Sequence, residues 1–371
     1  MGAHFVAWFQ DIDRFSTSVV GGKSANLAEM VRIGIPVPDG FAVTAEAYNR
    51  FLTETGAAEE INRCLKSMSL SNTRISDYEE KSQSIRDIIE SKNMPDSISD
   101  AIVKCYLILC DRHDSGELSV AVRSSGIAED LSDSSFAGQY ESYLNVRGRD
   151  ELVEKILKCW SSQFTVRAIA YRQKKGLPPE GSAMGVTILK MVCARSAGVG
   201  FTAHPLTGDQ TKIVLEGNWG LGESIVQGLV SPDRYVIDKG SMQLTKRIIS
   251  NKERLLRYGN QGIVEDDVPT EKRSIPCLSD EEALKLAEYA KILEAHYGSP
   301  QDMEWAVDPD LSFPENLFLV QTRPITVSKK DKEEREKADY LADLMIQVVR
   351  QTSDSGKRLF PPMDLQKKEG T

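Results

Sequence analysis

"QDMEWAVDPDLSFPENLFLVQTRPIT", residues 301–326, reads as two strands, QDMEWAVD and NLFLVQTRPIT. Successive side chains of a strand point to opposite faces. Asp302 and Glu304 therefore share one face of the first run, and Gln321 and Arg323 share one face of the second. If the two runs are antiparallel neighbours, these four polar groups converge on one patch. A carboxylate beside an amide carbonyl suits Mg²⁺, which keeps some waters and takes its other oxygens from substrate phosphates. An arginine alongside offers a planar fork to a phosphoryl group in transfer, which lysine cannot imitate. The same alternation also describes a solvated sheet face carrying surface ion pairs, and spacing alone does not choose between the two.

Working back from this pair, "SDEEALKLAEYAKILEAHY" at 279–297 has the period of a helix, and short strand-like runs alternate with turns from Met184 to Ile248. Earlier still, 45–114 is helical, with Ile98, Ile102, Cys105 and Leu109 on one stripe of "SISDAIVKCYLILC". A second amphipathic helical stretch follows at 150–176, with Leu152, Ile156, Leu157, Trp160 and Phe164 facing inward. These changes of pattern predict an N-terminal lobe over 1–190 with a helical insert, a C-terminal lobe over 191–327 and a charged helical tail over 328–371. In the tail, Leu341, Leu344, Met345 and Val348 form an apolar side suited to tethering a partner.

Three further stretches carry polar groups with chemical possibilities. In "VVGGKSANLAEM" two glycines and Lys23 precede a helix expected over 24–33, with Ser24 as cap, Leu27, Met30 and Val31 on its apolar face and Gly34 as stop. Free backbone N–H groups and a helix dipole favour a phosphate there. The Walker pattern is broken by Thr17, however, and a surface lysine after a glycine turn is the simpler reading. In "AVRSSGIAEDLSDSSFAGQYESYLNV", 121–146, Arg123 ends a strand and a long loop of small, hydroxylated and acidic residues follows; loops of that length are commonly functional. "LEGNWGLGESIVQG" fails the dinucleotide fingerprint at Ile225, leaving Glu216 and Glu223 as candidate polar groups.

The 371 residues carry a net charge of -9, so no basic surface for nucleic acid is expected. No apolar run approaches the roughly 18 residues of a membrane span, and the opening "MGAHFVAWFQDID" lacks the basic leader of a signal peptide, which makes the cytoplasm the default expectation. The six cysteines are widely spaced and read as buried free thiols rather than disulfides or a metal site. The four histidines are too scattered for zinc, and His204 reads as structural or peripheral.

Taken in order, "GGKSANLAEM", "IPVPDGFAVT", the 121–146 stretch, "AGVGFTAHPLTG", "WGLGESIVQG", "DMEWAVD" and "QTRPIT" resemble the N-terminal ATP-binding domain of the phosphoenolpyruvate synthase and pyruvate phosphate dikinase family, over roughly residues 5–327. The resemblance implies an α+β, ATP-grasp-like fold whose two lobes grip ATP. Lys23 and Arg123 would hold the phosphates, and the loop containing Ser135, Gly138 and Ser142 would close over them as a lid. Glu304 and Gln321 would coordinate Mg²⁺, Arg323 would brace the phosphoryl group, and Asp302 would support the site. Leu189, Lys190, Met191 and Val192 would edge the adenine pocket, and Glu223 would meet the nucleotide.

Larger members of the family continue into a swivelling domain with a phosphorylatable histidine in a Thr-Ser-His context and then a barrel that binds pyruvate. None of His4, His113, His204 or His296 has that context, and His204 stands where asparagine or aspartate is expected. The resemblance therefore implies one subunit of a split dikinase, with a separate partner subunit carrying the histidine and the acceptor site. By architecture alone it is nearest to the ATP-binding subunit of phenylphosphate synthase, which would make phenol or cresol the final acceptor. A nucleotide-sensing regulator that has lost transfer chemistry and a self-sufficient ATP-grasp ligase are the competing readings. The intact set Lys23, Arg123, Glu304, Gln321 and Arg323 argues against the first, and the lack of an acceptor domain against the second.

Overall fold

The structure, a computed structural model, describes residues 4–66, 75–127, 130–131, 134–135, 140–175, 183–205, 207–259 and 262–325. The expected lid residue Gly138 and the tail over 328–371 lie outside these residues.

In chain order the elements are β1 (Val6–Trp8), α1 (Thr17–Arg32), β2 (Gly40–Val43), α2 (Ala45–Glu54), α3 (Ala57–Lys66), α4 (Ile75–Glu90), α5 (Asp96–Arg112), β3 (Val120–Gly126), β4 (Asp130–Leu131), β5 (Ser134–Ser135), β6 (Ser142–Val146), α6 (Arg149–Ser161), α7 (Val166–Lys175) and β7 (Met184–Lys190). There follow β8 (Ser196–Phe201), β9 (Lys212–Trp219), α8 (Glu223–Val226), β10 (Asp233–Asp238), β11 (Gln243–Ile248), β12 (Arg254–Gly259), β13 (Gly262–Asp267), α9 (Asp280–Tyr297), β14 (Gln301–Val307) and β15 (Leu317–Pro324). The fold is α+β. One sheet runs β1-β2-β7-β3-β6, the other β11-β10-β9-β8-β14-β15, and every strand pairing in them is antiparallel.

The helical insert packs on the first sheet as its stripe requires. Ile98, Ile102, Cys105 and Leu109 are all buried, together with Leu152, Ile156, Leu157, Trp160 and Phe164. Burial of each large apolar side chain contributes about 1.5–3 kcal/mol, more than the roughly 0.7 kcal/mol by which ordinary residues differ in helix propensity. The β-branched content of α5 is thereby outweighed. Before β14, α9 starts where the sequence places it: Ser279 Oγ accepts from Glu282 N at 3.1 Å and Glu282 Oε2 accepts from Ser279 N at 2.9 Å, a capping box, and Gly298 closes the helix in a left-handed conformation.

α1 departs from expectation in three ways. It begins at Thr17 rather than at residue 24, with a non-helical kink at Gly21. Ser24 is no cap: it is fully buried inside the helix, its hydroxyl 2.7 Å from Thr187 Oγ1. Val31 is 38% exposed, while Leu27, Ala28 and Met30 pack into the second core beside Ile213, Leu215 and Leu319. The helix is thus wedged between the two sheets, its apolar side meeting Ala121 and Leu189 of the first as well as residues of the second. Gly21 has φ of 77°, and a Cβ there would stand 1.9 Å from Ser125 O, so only glycine lets the kink close on β3.

Two strand pairs were not anticipated. Within the loop after Arg123, β4 and β5 pair briefly, and β12 and β13 form a hairpin separate from both main sheets. Of the six free cysteines, Cys105, Cys110, Cys159 and Cys277 are buried as expected, but Cys64 is half-buried and Cys193 exposed, because Cys193 falls in the segment between β7 and β8. Among the described residues no helix is long and apolar enough to cross a membrane.

Candidate active site

β14 and β15 are antiparallel neighbours with Asp302 opposite Arg323 and Glu304 opposite Gln321. The four polar groups share one face, as alternation requires. This face is not a solvated exterior: the Asp302 and Glu304 side chains are only 14% and 21% exposed. β3, from the other sheet, brings Arg123 onto it.

A bulge makes the junction possible. Beyond Glu304 the register slips so that Trp305 pairs with Leu319, leaving Val320 as the extra residue of β15. The carbonyl of Val320 accepts from Arg123 Nη1 at 3.1 Å, while Arg123 Nη2 donates to Gln321 Oε1 at 2.9 Å and to Glu304 Oε2 at 3.3 Å. Gln321 Nε2 in turn donates to Glu304 Oε1 at 2.9 Å. On the far side of Glu304, Gly198 of β8 makes room for the buried Trp305: a Cβ on it would lie 2.6 Å from the indole ring and 1.9 Å from Glu216 O.

Arg323 donates from Nε and Nη2 to Asp302 Oδ2 at 2.9 and 2.8 Å. Burial pushes the Asp302 carboxyl above the ordinary carboxylate range; Arg323 pulls it back by charge and hydrogen bonding, and the Glu304 charge pushes it up further. Lys23 is half-buried rather than on the open surface, and its Nζ donates to Ser124 O at 2.9 Å, one residue from Arg123. Ser125 Oγ accepts from Ser24 N, which holds the turn bearing Lys23 against the same strand. Ser142 lies opposite Arg123 across the β3–β6 pairing.

Lys23, Arg123, Ser142, Asp302, Glu304, Gln321 and Arg323 are therefore brought together. The segment expected at the adenine connects the two sheets: Leu189 and Val192 are buried, Lys190 and Met191 half-buried. Glu223 stands in α8, its carboxylate accepting from Gln227 Nε2 at 2.7 Å, and Glu216 is paired with Arg234. His204 serves a turn: Thr207 N donates to its Nδ1 at 3.3 Å, and its own N–H donates to Asp209 O. Tyr258 was missed. Its hydroxyl donates to Val192 O at 3.1 Å from the β12–β13 hairpin, whose only signal was a glycine-bounded turn in "RYGNQGIV". The carbonyls of Ser124 and Val320 were missed too, because backbone acceptors leave no mark in residue type.

The donor set fits a magnesium ion. Glu304 Oε2 and Gln321 Oε1 already converge on one positively charged nitrogen, as two oxygen ligands of a hard cation must. The guanidiniums of Arg123 and Arg323 and the ammonium of Lys23 supply positive charge for an anion in the same cleft.

Comparison with known proteins finds relatives over most of the chain. The family model described as the pyruvate phosphate dikinase AMP/ATP-binding domain matches residues 17–343. The chain is 42% identical over 363 residues to a probable phosphoenolpyruvate synthase of Staphylothermus marinus, covering 92% of this chain and 43% of that protein. It is 44% identical over 331 residues to a probable phosphoenolpyruvate synthase of Archaeoglobus fulgidus, covering 89% of this chain and 43% of the relative. With a phosphoenolpyruvate synthase of Aeropyrum pernix the identity is 42% over 362 residues, 91% and 44% of the two chains. The chain spans less than half the length of these curated relatives.

Proposed function

Since the chain belongs to the pyruvate phosphate dikinase AMP/ATP-binding domain family, we propose that it binds Mg·ATP between its lobes and phosphorylates a histidine carried on a further domain or a separate subunit. The overall exchange consumes ATP, the histidine and one water: the β-phosphoryl group goes to the histidine nitrogen, the γ-phosphoryl group leaves with the water oxygen as free phosphate, and AMP is released. The observation that carries this reading is the contact of Arg123 from one lobe with Glu304, Gln321 and Val320 of the other. Phosphoryl transfer depends mainly on positioning and charge stabilisation. Lys23 and Arg123 neutralise the phosphates, and Arg323, oriented by Asp302, presents its fork to the group in transfer. Glu304 and Gln321 are the residues to hold Mg²⁺, which when bound neutralises phosphate oxygens. The segment 189–192 and Glu223 are assigned to the nucleoside side.

None of the four histidines is the acceptor in this reading. His4 is exposed at the start of the described residues, His113 pairs with Asp39, His296 with Glu29, and His204 holds its turn. The names of the relatives favour pyruvate as the final acceptor. Phenol or cresol, as in phenylphosphate synthase, is the finer alternative that the architecture suggested.

Incubating the chain with ATP labelled at β or at γ, together with a candidate histidine-bearing partner, is expected to move only the β label into an acid-labile, base-stable linkage on the partner. Pyruvate or phenol added afterwards identifies the acceptor by which one discharges it. Transfer of the γ label would make the protein an ordinary kinase, and label retained on His204 would mean that the chain carries its own phosphohistidine. By itself the chain is expected to bind Mg·ATP yet produce little AMP, since water is a poorly positioned substitute for the histidine; steady-state AMP release measures this. Glu304→Ala and Gln321→Ala should each raise the Mg²⁺ concentration needed for half-maximal transfer by at least about tenfold, the size seen when even outer partners of a metal site are removed.

A further inference from the structure

Arg123 Nη2 lies 2.9 Å from Gln321 Oε1 and 3.3 Å from Glu304 Oε2, the same two oxygens assigned above to Mg²⁺. The amide of Gln321 is held in this orientation. Its Nε2 donates to Glu304 Oε1 at 2.9 Å, and a flip would set donor against donor at Arg123 and acceptor against acceptor at Glu304. Nη1 is anchored on Val320 O at 3.1 Å. The Arg123 side chain is 15% exposed, so water competes weakly for the contact. The local charges balance in pairs, Arg123 with Glu304 and Arg323 with Asp302.

We propose that Arg123 is a placeholder for the metal: without nucleotide its guanidinium neutralises Glu304 and occupies both ligand oxygens, so that Mg²⁺ enters only together with ATP. The inference rests on the Mg·ATP reading of the site. A divalent ion arriving alone would have to displace a guanidinium whose ion pair among the described residues is with Glu304, or share the carboxylate with it at close range against like-charge repulsion. ATP removes both obstacles. Its phosphates attract the guanidinium away from β14 and β15, and that one movement clamps the phosphate and frees Glu304 and Gln321. Linkage then requires nucleotide and metal to raise each other's affinity by the same factor.

Mn²⁺ is the probe, with free ion followed by electron paramagnetic resonance, in the presence and absence of a non-hydrolysable ATP analogue. The nucleotide-free wild type is expected to bind Mn²⁺ weakly, and Arg123→Met to bind it about tenfold more tightly, within the usual range of coupling between sites. Arg123→Lys should fall between them, because one ammonium cannot satisfy both oxygens and the Val320 carbonyl. Adding Glu304→Gln should abolish the gain. Unchanged Mn²⁺ affinity in both Arg123 variants, or a gain that survives Glu304→Gln, overturns the proposal. Should Arg123→Met fail to fold by circular dichroism, Arg123→Lys alone decides. If the wild type binds no Mn²⁺ even with the ATP analogue, it is the Mg·ATP reading that falls; if it does bind, a negative result in the Arg123 variants removes only the placeholder role.

Discussion

Arg323→Ala is expected to slow phosphorylation of the partner histidine by about 10³-fold or more, the magnitude for arginines that brace a phosphoryl group, while ATP affinity falls far less. The asymmetry follows from what the side chain touches. Arg323 is held to Asp302 by two hydrogen bonds yet 43% exposed, so its planar cation is accessible to charge that develops during transfer. Its removal also leaves Asp302 with burial and the Glu304 charge both favouring protonation. Arg323→Lys restores charge but not the fork and should recover little of the rate. The measurement is single-turnover labelling of the partner beside calorimetric titration with Mg·ATP; a variant transferring near the wild-type rate would reduce Arg323 to an ion-pair partner of Asp302.

Lys252→Met should be among the most damaging substitutions for stability, at about 3–5 kcal/mol, the usual cost of stranding one member of a buried ion pair. Lys252 and Asp233 have no solvent exposure, and Lys252 Nζ donates to Asp233 Oδ1 at 2.7 Å and to Ser250 O at 3.1 Å. The carboxylate also accepts from Ser250 N and Cys277 N, both at 2.9 Å, so it ties β10 to the segments before β12 and before α9. Without the lysine, a charge with no access to water remains among these bonds. The double variant Lys252→Met/Asp233→Asn removes the charge and keeps one of the two accepting oxygens, so it should recover part of the loss. Urea denaturation followed by circular dichroism compares the three proteins; coincident curves for wild type and Lys252→Met would show the pair to be energetically inert.

The residues 301–326 alone determined that Asp302, Glu304, Gln321 and Arg323 would share a face, because side-chain alternation in a strand is a local rule. Local rules likewise placed α9 through its capping box and α5 through its stripe, and the order of motifs along the chain pointed to the family. Tertiary structure decided the rest. An amphipathic period shows that Leu27 and Met30 are buried but not that residues from both sheets bury them. Nor does it show that Val31, on the same expected face, is 38% exposed. Lys252 in "SNKERLL" reads as a solvated turn, and only the return of β10 and residue 277 to that point makes it a buried cation. Arg123 meets Glu304 across 181 residues, through a sheet order and a bulge at Val320 that no window of sequence contains. Periodicity is set by the bonds of neighbouring residues, whereas the partner of a face is set by which distant surface removes it from water, and that choice belongs to the whole chain.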